Sequence, residues 1–352
     1  MFHLKKLLVF VAGFLVSWTI NASNIVDLYG ADSKISKEIL KKYGREIGEI
    51  ESVIFKELVA SGKDPKNFED IIIKRMGLVE KIKQENDFFY VDFELVFYPN
   101  NKNRYITIEV INKNQPARMH FINGNKDSQQ KSSKQDLINK MIEFKKIDMQ
   151  LLMESKLGSN KINCPVYHCL TGFEHEKLKP YLDVFNRGAI EEKQLIIDTL
   201  NKDEDPARKS AAAFLMGHFS DPKEIISLLT PHVNDSDSRV RNDVMRVLAQ
   251  TMEKSKISQV DAMPFLNLLD SPYDTDRNKA LYVLSTAVES EAAKTLVIQH
   301  GKTRLLALLE LKQPNNHDLA YLILKKISGK KFADTNVKAW DKWFSSAQSK
   351  IS

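Results

Sequence analysis

Arg241-Asn-Asp-Val-Met-Arg-Val-Leu248 and Arg277-Asn-Lys-Ala-Leu-Tyr-Val-Leu284 are two copies of one helical register in the second half of the chain. The same register recurs at 208–215 and, with His in place of Arg at its first position, at 317–324. The four segments begin 33, 36 and 40 residues apart. Each has a small or β-branched residue at its fourth position and leucine at its eighth, as closely packed helices require. The repeat therefore predicts stacked helices.

A partner helix precedes each of these segments, and a short polar turn joins the two helices of a pair. The predicted partner helices are 190–200, 224–229, 260–269 and 296–311. A single pair of this size cannot bury its own apolar face, whereas stacked neighbours can. We therefore expect a right-handed superhelical array of helical pairs.

The polar turns carry a more specific resemblance. Asp205-Pro206-Ala207-Arg208 and Asp237-Ser238-Arg239-Val240-Arg241 resemble the HEAT repeats of the armadillo-type α-solenoid superfamily. The closing segment, 328–343, is similar to the end of many bacterial HEAT-repeat proteins. The resemblance covers about 176–345. It departs from the family pattern at the fourth segment, where His317 replaces the arginine and the spacing lengthens.

The resemblance implies roles for particular side chains. In HEAT-type repeats the arginine that begins the second helix pairs with an aspartate of an adjacent repeat, so Arg208, Arg241 and Arg277 are expected to form a structural ladder. Ligand binding by these arginines is the alternative. The second helices line the concave side of such an array, which we expect to contact a partner. Four candidate partner-binding residues lie on second helices away from the leucine positions, namely Asn242, Arg246, Asn278 and Tyr282.

The first half of the chain, residues 24–160, is predicted to be an α+β domain and resembles no family. Helical periodicity covers 33–60, and a second helix is expected from Asp64-Pro65. Alternating apolar residues then predict two strands, and a third short strand at 118–122 would complete an antiparallel meander. A helix follows at about 135–157. The predicted fold class is mainly α with a small antiparallel sheet, and the α+β domain precedes a HEAT-like α-solenoid over 176–352.

Residues 1–23 have the pattern of a secretory signal peptide. Lys5 and Lys6 precede the apolar run 7–20, and Ala22 and Ser23 supply small residues for cleavage. An uncleaved anchor is the alternative, but as a helix this run spans roughly 21 Å, short of a hydrocarbon core of roughly 30 Å. We therefore expect a periplasmic or secreted protein with no membrane span after cleavage.

Cys164 and Cys169 are the only cysteines and lie in the junction 161–175 between the two halves. In an exported chain, so close a pair favours a disulfide. A metal site that adds His168 and His175, or a redox-active pair, is the alternative. We expect neither a metal nor a cofactor.

Charge and motifs favour contact over catalysis. The chain has 52 Lys+Arg and 46 Asp+Glu, with 23 basic and 21 acidic residues in 24–160, so neither half is strongly basic and nucleic acid is not an expected partner. We find no Gly-rich phosphate loop, nucleophile elbow or zinc-protease helix, and we name no catalytic residue. We predict a non-enzymatic interaction or scaffold protein that binds a protein or peptide through the solenoid. An enzyme or enzyme subunit, with a site between the α+β domain and the solenoid, is the alternative. The oligomeric state is left open.

Overall fold

The computed structural model describes residues 23–59, 68–98, 103–122, 135–154, 156–157 and 163–351. The predicted signal peptide up to Ala22, and the predicted helix start at Asp64-Pro65, lie outside these ranges. Within them, the chain is mainly helical with one small sheet, as predicted. No helix in these ranges has the length and apolar character that crossing a membrane would need.

The N-terminal unit combines two helices with three strands. Its elements are β1 (Asn24–Tyr29), α1 (Ser33–Val59), α2 (Phe68–Glu85), β2 (Phe88–Phe97) and β3 (Arg104–Asn112). Asp32 begins α1, because its carboxylate accepts hydrogen bonds from the N–H groups of Lys34 and Ile35. The apolar stripe predicted for this helix is buried against the sheet at Ile39, Tyr43, Ile47, Ile50 and Ile54.

The sheet corrects the predicted topology. Its order is β1-β3-β2, with β1 parallel and β2 antiparallel to β3, so the sheet is mixed rather than an antiparallel meander. The strand predicted at 118–122 is wrong, since Pro116–Phe121 is a 3-10 turn. Proline has a fixed φ and no N–H, so it suits the start of a helical turn better than a strand ladder. The third strand is instead β1, directly after the predicted cleavage site.

The second unit is a series of helices. They are α3 (Leu137–Met153), α4 (Lys179–Glu191), α5 (Lys193–Lys202), α6 (Pro206–Met216), α7 (Pro222–Leu229), α8 (Ser238–Ser255), α9 (Met263–Leu268), α10 (Asp274–Ala287), α11 (Glu291–His300), α12 (Lys302–Leu309), α13 (Pro314–Ser328) and α14 (Val337–Gln348). The partner helix predicted at 296–311 is divided between α11 and α12 at Gly301. A Cβ at Gly301 would lie 2.6 Å from the carbonyl oxygen of Val297, so this close approach requires glycine.

The four segments of the sequence repeat form one layer of packed helices. These are α6, α8, α10 and α13, each of which packs on the next, with α5, α7, α9 and α12 behind them. All four repeat leucines have no exposed surface, namely Leu215, Leu248, Leu284 and Leu324. The predicted layered packing of helical pairs is therefore confirmed. Trp340 and Phe344 of α14 are also fully buried and close the end of the array.

Helix α3 joins the solenoid core. It packs on α6, and its buried residues Ile138, Met141 and Phe144 belong to the same apolar cluster as the repeat helices. The sequence analysis placed this helix in the first domain, with a boundary near 160. Because a helix belongs with the core that its apolar face fills, we propose a boundary before α3 instead.

The predicted disulfide is present between Cys164 and Cys169, with the sulfurs 2.02 Å apart. Lys254 of α8 donates hydrogen bonds to the carbonyl oxygens of Cys164 and Val166, which fixes this loop against the array. The bonded sulfurs are no longer available as thiolate ligands for the alternative metal site. The described residues contain no group of three or more His, Cys, Asp or Glu arranged to hold a metal ion.

The polar face of the sheet docks on the turns of the solenoid. The Tyr29 hydroxyl donates to the carbonyl oxygen of Leu269 at 2.7 Å, and Nε of Arg118, in the 3-10 turn after β3, donates to that of Asp270 at 2.7 Å. Asp27 accepts from the backbone N–H of Lys312 at 2.6 Å. Each of these turns joins the two helices of one pair. The turns therefore contact the chain's own sheet.

Glu94 lies on the polar face of the sheet, and we expect it to make the stability of the protein depend on pH. Burial, together with the negative charges of Glu109, Asp92 and Asp274, raises the pKa of Glu94 to about 8, although Arg277 opposes the shift. The folded state therefore holds a proton that the unfolded state releases near pH 4.5, and stability falls as pH rises from about 4.5 to about 8. Glu94→Gln should remove the contribution of Glu94 to this decline. Thermal melts at pH 5 and pH 8.5 should show a smaller drop in Tm for the variant, and equal drops would contradict the assignment.

Candidate partner-binding groove

The candidate site is a groove of about 810 Å³ on the layer of second helices. Its walls are α3 on one side and α6 and α8 on the other, and Thr275 at the start of α10 lies at one end. Asp237 caps α8 by accepting a hydrogen bond from the N–H of Arg239 at 2.9 Å. Asn242 and Arg246 are four residues apart on α8, so both lie on the helix face that lines the groove.

The walls combine apolar surface with excess positive charge. Ile142, Met149, Leu170 and Phe214 supply the apolar part. The ionisable lining residues are Lys145, Lys146, Arg239, Arg246 and Asp243. Since only one of these five is acidic, the groove attracts anions.

Two of the basic side chains already have partners. Lys145 Nζ lies 2.7 Å from the Asp243 carboxylate, and Arg239 forms an ion pair with Asp237 at 2.7 Å. Arg246 differs, because no carboxylate in the described ranges forms an ion pair with it. Lys146 likewise forms no ion pair with a carboxylate of these ranges, so Arg246 and Lys146 are the groove cations that the described fold leaves uncompensated.

The charge of Arg246 affects two neighbours. Burial, followed by the charges of Arg246 and Lys145, holds the pKa of His168 well below its usual value. Burial and Arg246 also lower the pKa of Lys279 to about 8. In both cases burial is the larger cause of the lowered pKa, and the positive charge of Arg246 adds to it.

Three polar atoms of the lining residues have no hydrogen-bond partner in the described structure. They are Ser210 Oγ, Asn242 Oδ1 and Arg246 Nε. Buried polar groups are hydrogen-bonded in the great majority of cases, because leaving one unpaired costs roughly 1–3 kcal/mol. Ser210 Oγ and Arg246 Nε can donate and Asn242 Oδ1 can accept, so the residues of the groove leave two donors and one acceptor unpaired.

The four predicted partner-binding residues separate into two pairs. Asn242 and Arg246 line the groove. Asn278 instead donates to the carbonyl oxygen of Asn315 at 2.8 Å, and the Tyr282 hydroxyl donates to the Glu253 carboxylate. Neither Asn278 nor Tyr282 lines this groove. The position of each residue in its repeat correctly placed all four side chains on second helices. It did not show which of them would be occupied by hydrogen bonds within the array.

Ser210 and the α3 residues of the groove were not among the sequence candidates. Ser210 stands at the third position of its repeat segment, where Asp243 and Lys279 stand in the next two. A polar residue recurring at that position was the available signal. The contribution of α3 had no counterpart in the repeat, since α3 precedes the first pair and reaches the groove only by packing on α6.

The arginines of the expected ladder all meet carboxylates, but from different parts of the chain. Arg241 pairs with Asp276 of the next repeat at 2.6 Å, which is the arrangement that the resemblance implies. Arg208 pairs with Asp203 of its own turn and Asp136 at the start of α3, both at 2.8 Å.

Arg277 departs furthest from the expected ladder, because it pairs with Glu109 of β3 at 2.5 Å. The position equivalent to Asp276 in the next repeat is Asn316, which cannot supply a charge. The equivalent position before Arg241 is Val240, which explains why Arg208 also finds its carboxylates elsewhere. The ladder is therefore completed by segments outside the repeats.

Residues 194–285 match the family model of HEAT repeats. This part of the C-terminal half is a HEAT-repeat region. Neither a curated protein nor a solved structure matches the chain. The matched residues run from α5 almost to the end of α10, so the HEAT helices α6 and α8 carry Ser210, Asn242 and Arg246.

Proposed function

We propose that this chain is an exported, non-enzymatic interaction protein whose HEAT-repeat region binds a segment of a partner protein in the groove between α3, α6 and α8. The observation that carries the proposal is the presence of three hydrogen-bonding atoms in that groove which the described chain leaves unpaired. A partner that supplies the missing hydrogen bonds gains specificity there, because a wrong partner leaves the same atoms unsatisfied.

The fold supports a protein partner. HEAT repeats generally mediate protein–protein interaction, and stacked helical pairs present the extended surface that such contacts need. The alternative of an enzyme site between sheet and solenoid has less support. The groups that meet there pair with one another, as the Glu109–Arg277 ion pair and the Tyr29 and Asp27 hydrogen bonds show.

Export is supported by two independent features. The Cys164–Cys169 disulfide is of a kind that persists in oxidising compartments and is rare in the cytosol. The first 23 residues carry the pattern of a cleavable signal peptide. We therefore place the interaction in the periplasm or outside the cell.

Ala207 offers a test of the groove that leaves the core intact. It is an exposed groove residue near the start of α6, so Ala207→Trp should fill the groove from its rim. We expect peptides selected from a displayed 12-residue library against residues 23–352 to bind this variant at least about tenfold more weakly. Fluorescence polarisation with the selected peptides measures the loss.

Ala292→Trp is the matched control. Ala292 is exposed and is the second residue of α11, as Ala207 is of α6, but it does not line the groove. Peptides should bind this variant with unchanged affinity. Equal binding to the wild type and the Ala207→Trp variant would show that the partner surface lies elsewhere and would reject the groove.

A further inference from the structure

Building on the proposed function, we infer that the partner segment carries an aspartate or glutamate next to an apolar side chain, and that Arg246 and Ser210 bind its carboxylate. The donors, the acceptor, the charge and the apolar wall of the groove each favour this ligand chemistry.

The unpaired donors require an acceptor. Arg246 Nε carries an N–H and cannot accept a hydrogen bond, and a guanidinium remains protonated in proteins. Ser210, only 3% exposed, has a hydroxyl that can donate to the same group. A carboxylate has two acceptor oxygens, and its hydrogen bonds to arginine are shorter and stronger than those of a neutral carbonyl.

The unpaired acceptor requires a donor. Asn242 Nδ2 donates to the Asp243 carboxylate at 3.0 Å, so Asp243 fixes the orientation of the amide and leaves Oδ1 as the free acceptor. A backbone N–H of a bound segment supplies that donor. One residue of an extended peptide therefore offers both a carboxylate and an amide N–H to this face of α8.

Charge selects an acidic segment over a neutral one. Lys145 and Arg239 have carboxylate partners, whereas Arg246 has no ion-pair partner among the residues described here. Burial is the main cause of the lowered pKa values of His168 and Lys279, and the positive charge of Arg246 contributes to both. An incoming carboxylate supplies the negative charge that this part of the solenoid lacks.

The apolar wall of the groove favours an apolar side chain next to the acidic residue of the partner segment. Met149 of α3 is 55% exposed, although it stands beside Ile142, Leu170 and Phe214 in the groove. An apolar side chain next to the acidic residue would cover this surface and gain the free energy of burial. A free inorganic anion would satisfy the donors but leave Met149 in water.

The test compares the wild type with Arg246→Gln. Displayed 12-residue peptides are selected against residues 23–352, and those whose binding is lost with Ala207→Trp are kept as groove binders. We expect these peptides to share an acidic residue beside an apolar one. Arg246→Gln, and Glu→Gln or Asp→Asn in the peptide, should each weaken binding about tenfold or more, as loss of a charge-assisted hydrogen bond requires.

Arg45→Gln is the matched control for net charge. Arg45 lies on α1 with a 93% exposed side chain, so this variant should bind groove peptides with unchanged affinity. Groove binders that lack an acidic residue, or that bind Arg246→Gln as tightly as the wild type, would overturn this inference while leaving the proposed function standing. The absence of any groove-dependent peptide would instead reject the proposed function and the inference with it.

Discussion

Replacing Glu109 with alanine is expected to lower the free energy of unfolding by about 3–5 kcal/mol. Glu109 and Arg277 are 1% and 0% exposed, and the carboxylate of Glu109 accepts hydrogen bonds from both terminal nitrogens of Arg277. Burial alone would lower the pKa of Arg277, yet Glu109 keeps it above the usual value. Removing Glu109 therefore leaves a charged guanidinium inside the protein without its carboxylate partner.

Urea denaturation of the wild type and the Glu109→Ala variant measures this cost. The double variant Glu109→Ala/Arg277→Met should recover most of the lost stability, because an apolar pair carries no buried charge. The comparison also tests how the sheet is attached, since Glu109 lies on β3 and Arg277 on α10. A loss below about 1 kcal/mol, typical of an exposed ion pair, would contradict the buried arrangement.

Leu248→Ala should cost a similar amount for a different reason, about 2.7–5 kcal/mol. Leu248 has no exposed surface and stands at the eighth position of its repeat, within the layer formed by α6, α8 and α10. The truncation leaves a cavity that neighbours held in a packed array only partly fill. Guanidinium denaturation followed by far-UV circular dichroism measures the change.

Leu152→Ala is the control for this substitution. Leu152 lies on α3 with 47% of its surface exposed, so the same truncation should cost less than about 1 kcal/mol. If Leu248→Ala were no more damaging than Leu152→Ala, the eighth position would not be a core position, and the basis for the predicted stacking would fail.

The repeat region is the part of the fold that the sequence predicted most completely. Apolar residues that recur in helical register specify which face of a helix is buried, because the effect depends on local periodicity. The stacking of α6 to α13 and the burial of the four leucines were predicted on this ground and are found. The disulfide was equally local, since its two cysteines are five residues apart.

The sheet shows where local reasoning fails. A strand was predicted at 118–122, where the 3-10 turn Pro116–Phe121 lies, whereas β1 was not recognised as a strand. Strand β1 is parallel to β3, and its partner residues lie about 80 positions away in the chain. Non-local pairing leaves no trace in the periodicity of a short segment, so the pattern of neighbouring residues could not reveal it.

What the sequence alone determined is the HEAT-like stacking, the four buried leucines and the proximity of the two cysteines, because each depends on residues close together in the chain. Tertiary structure decided which charged side chains form ion pairs. Arg277 pairs with Glu109, on a strand 168 residues earlier, whereas Arg246 pairs with no carboxylate in the described chain. It also brought α3 against α6 and α8 to form the groove. Ion pairing and pocket formation depend on distances across the fold, and a repeat pattern specifies only the distances within and between adjacent helices.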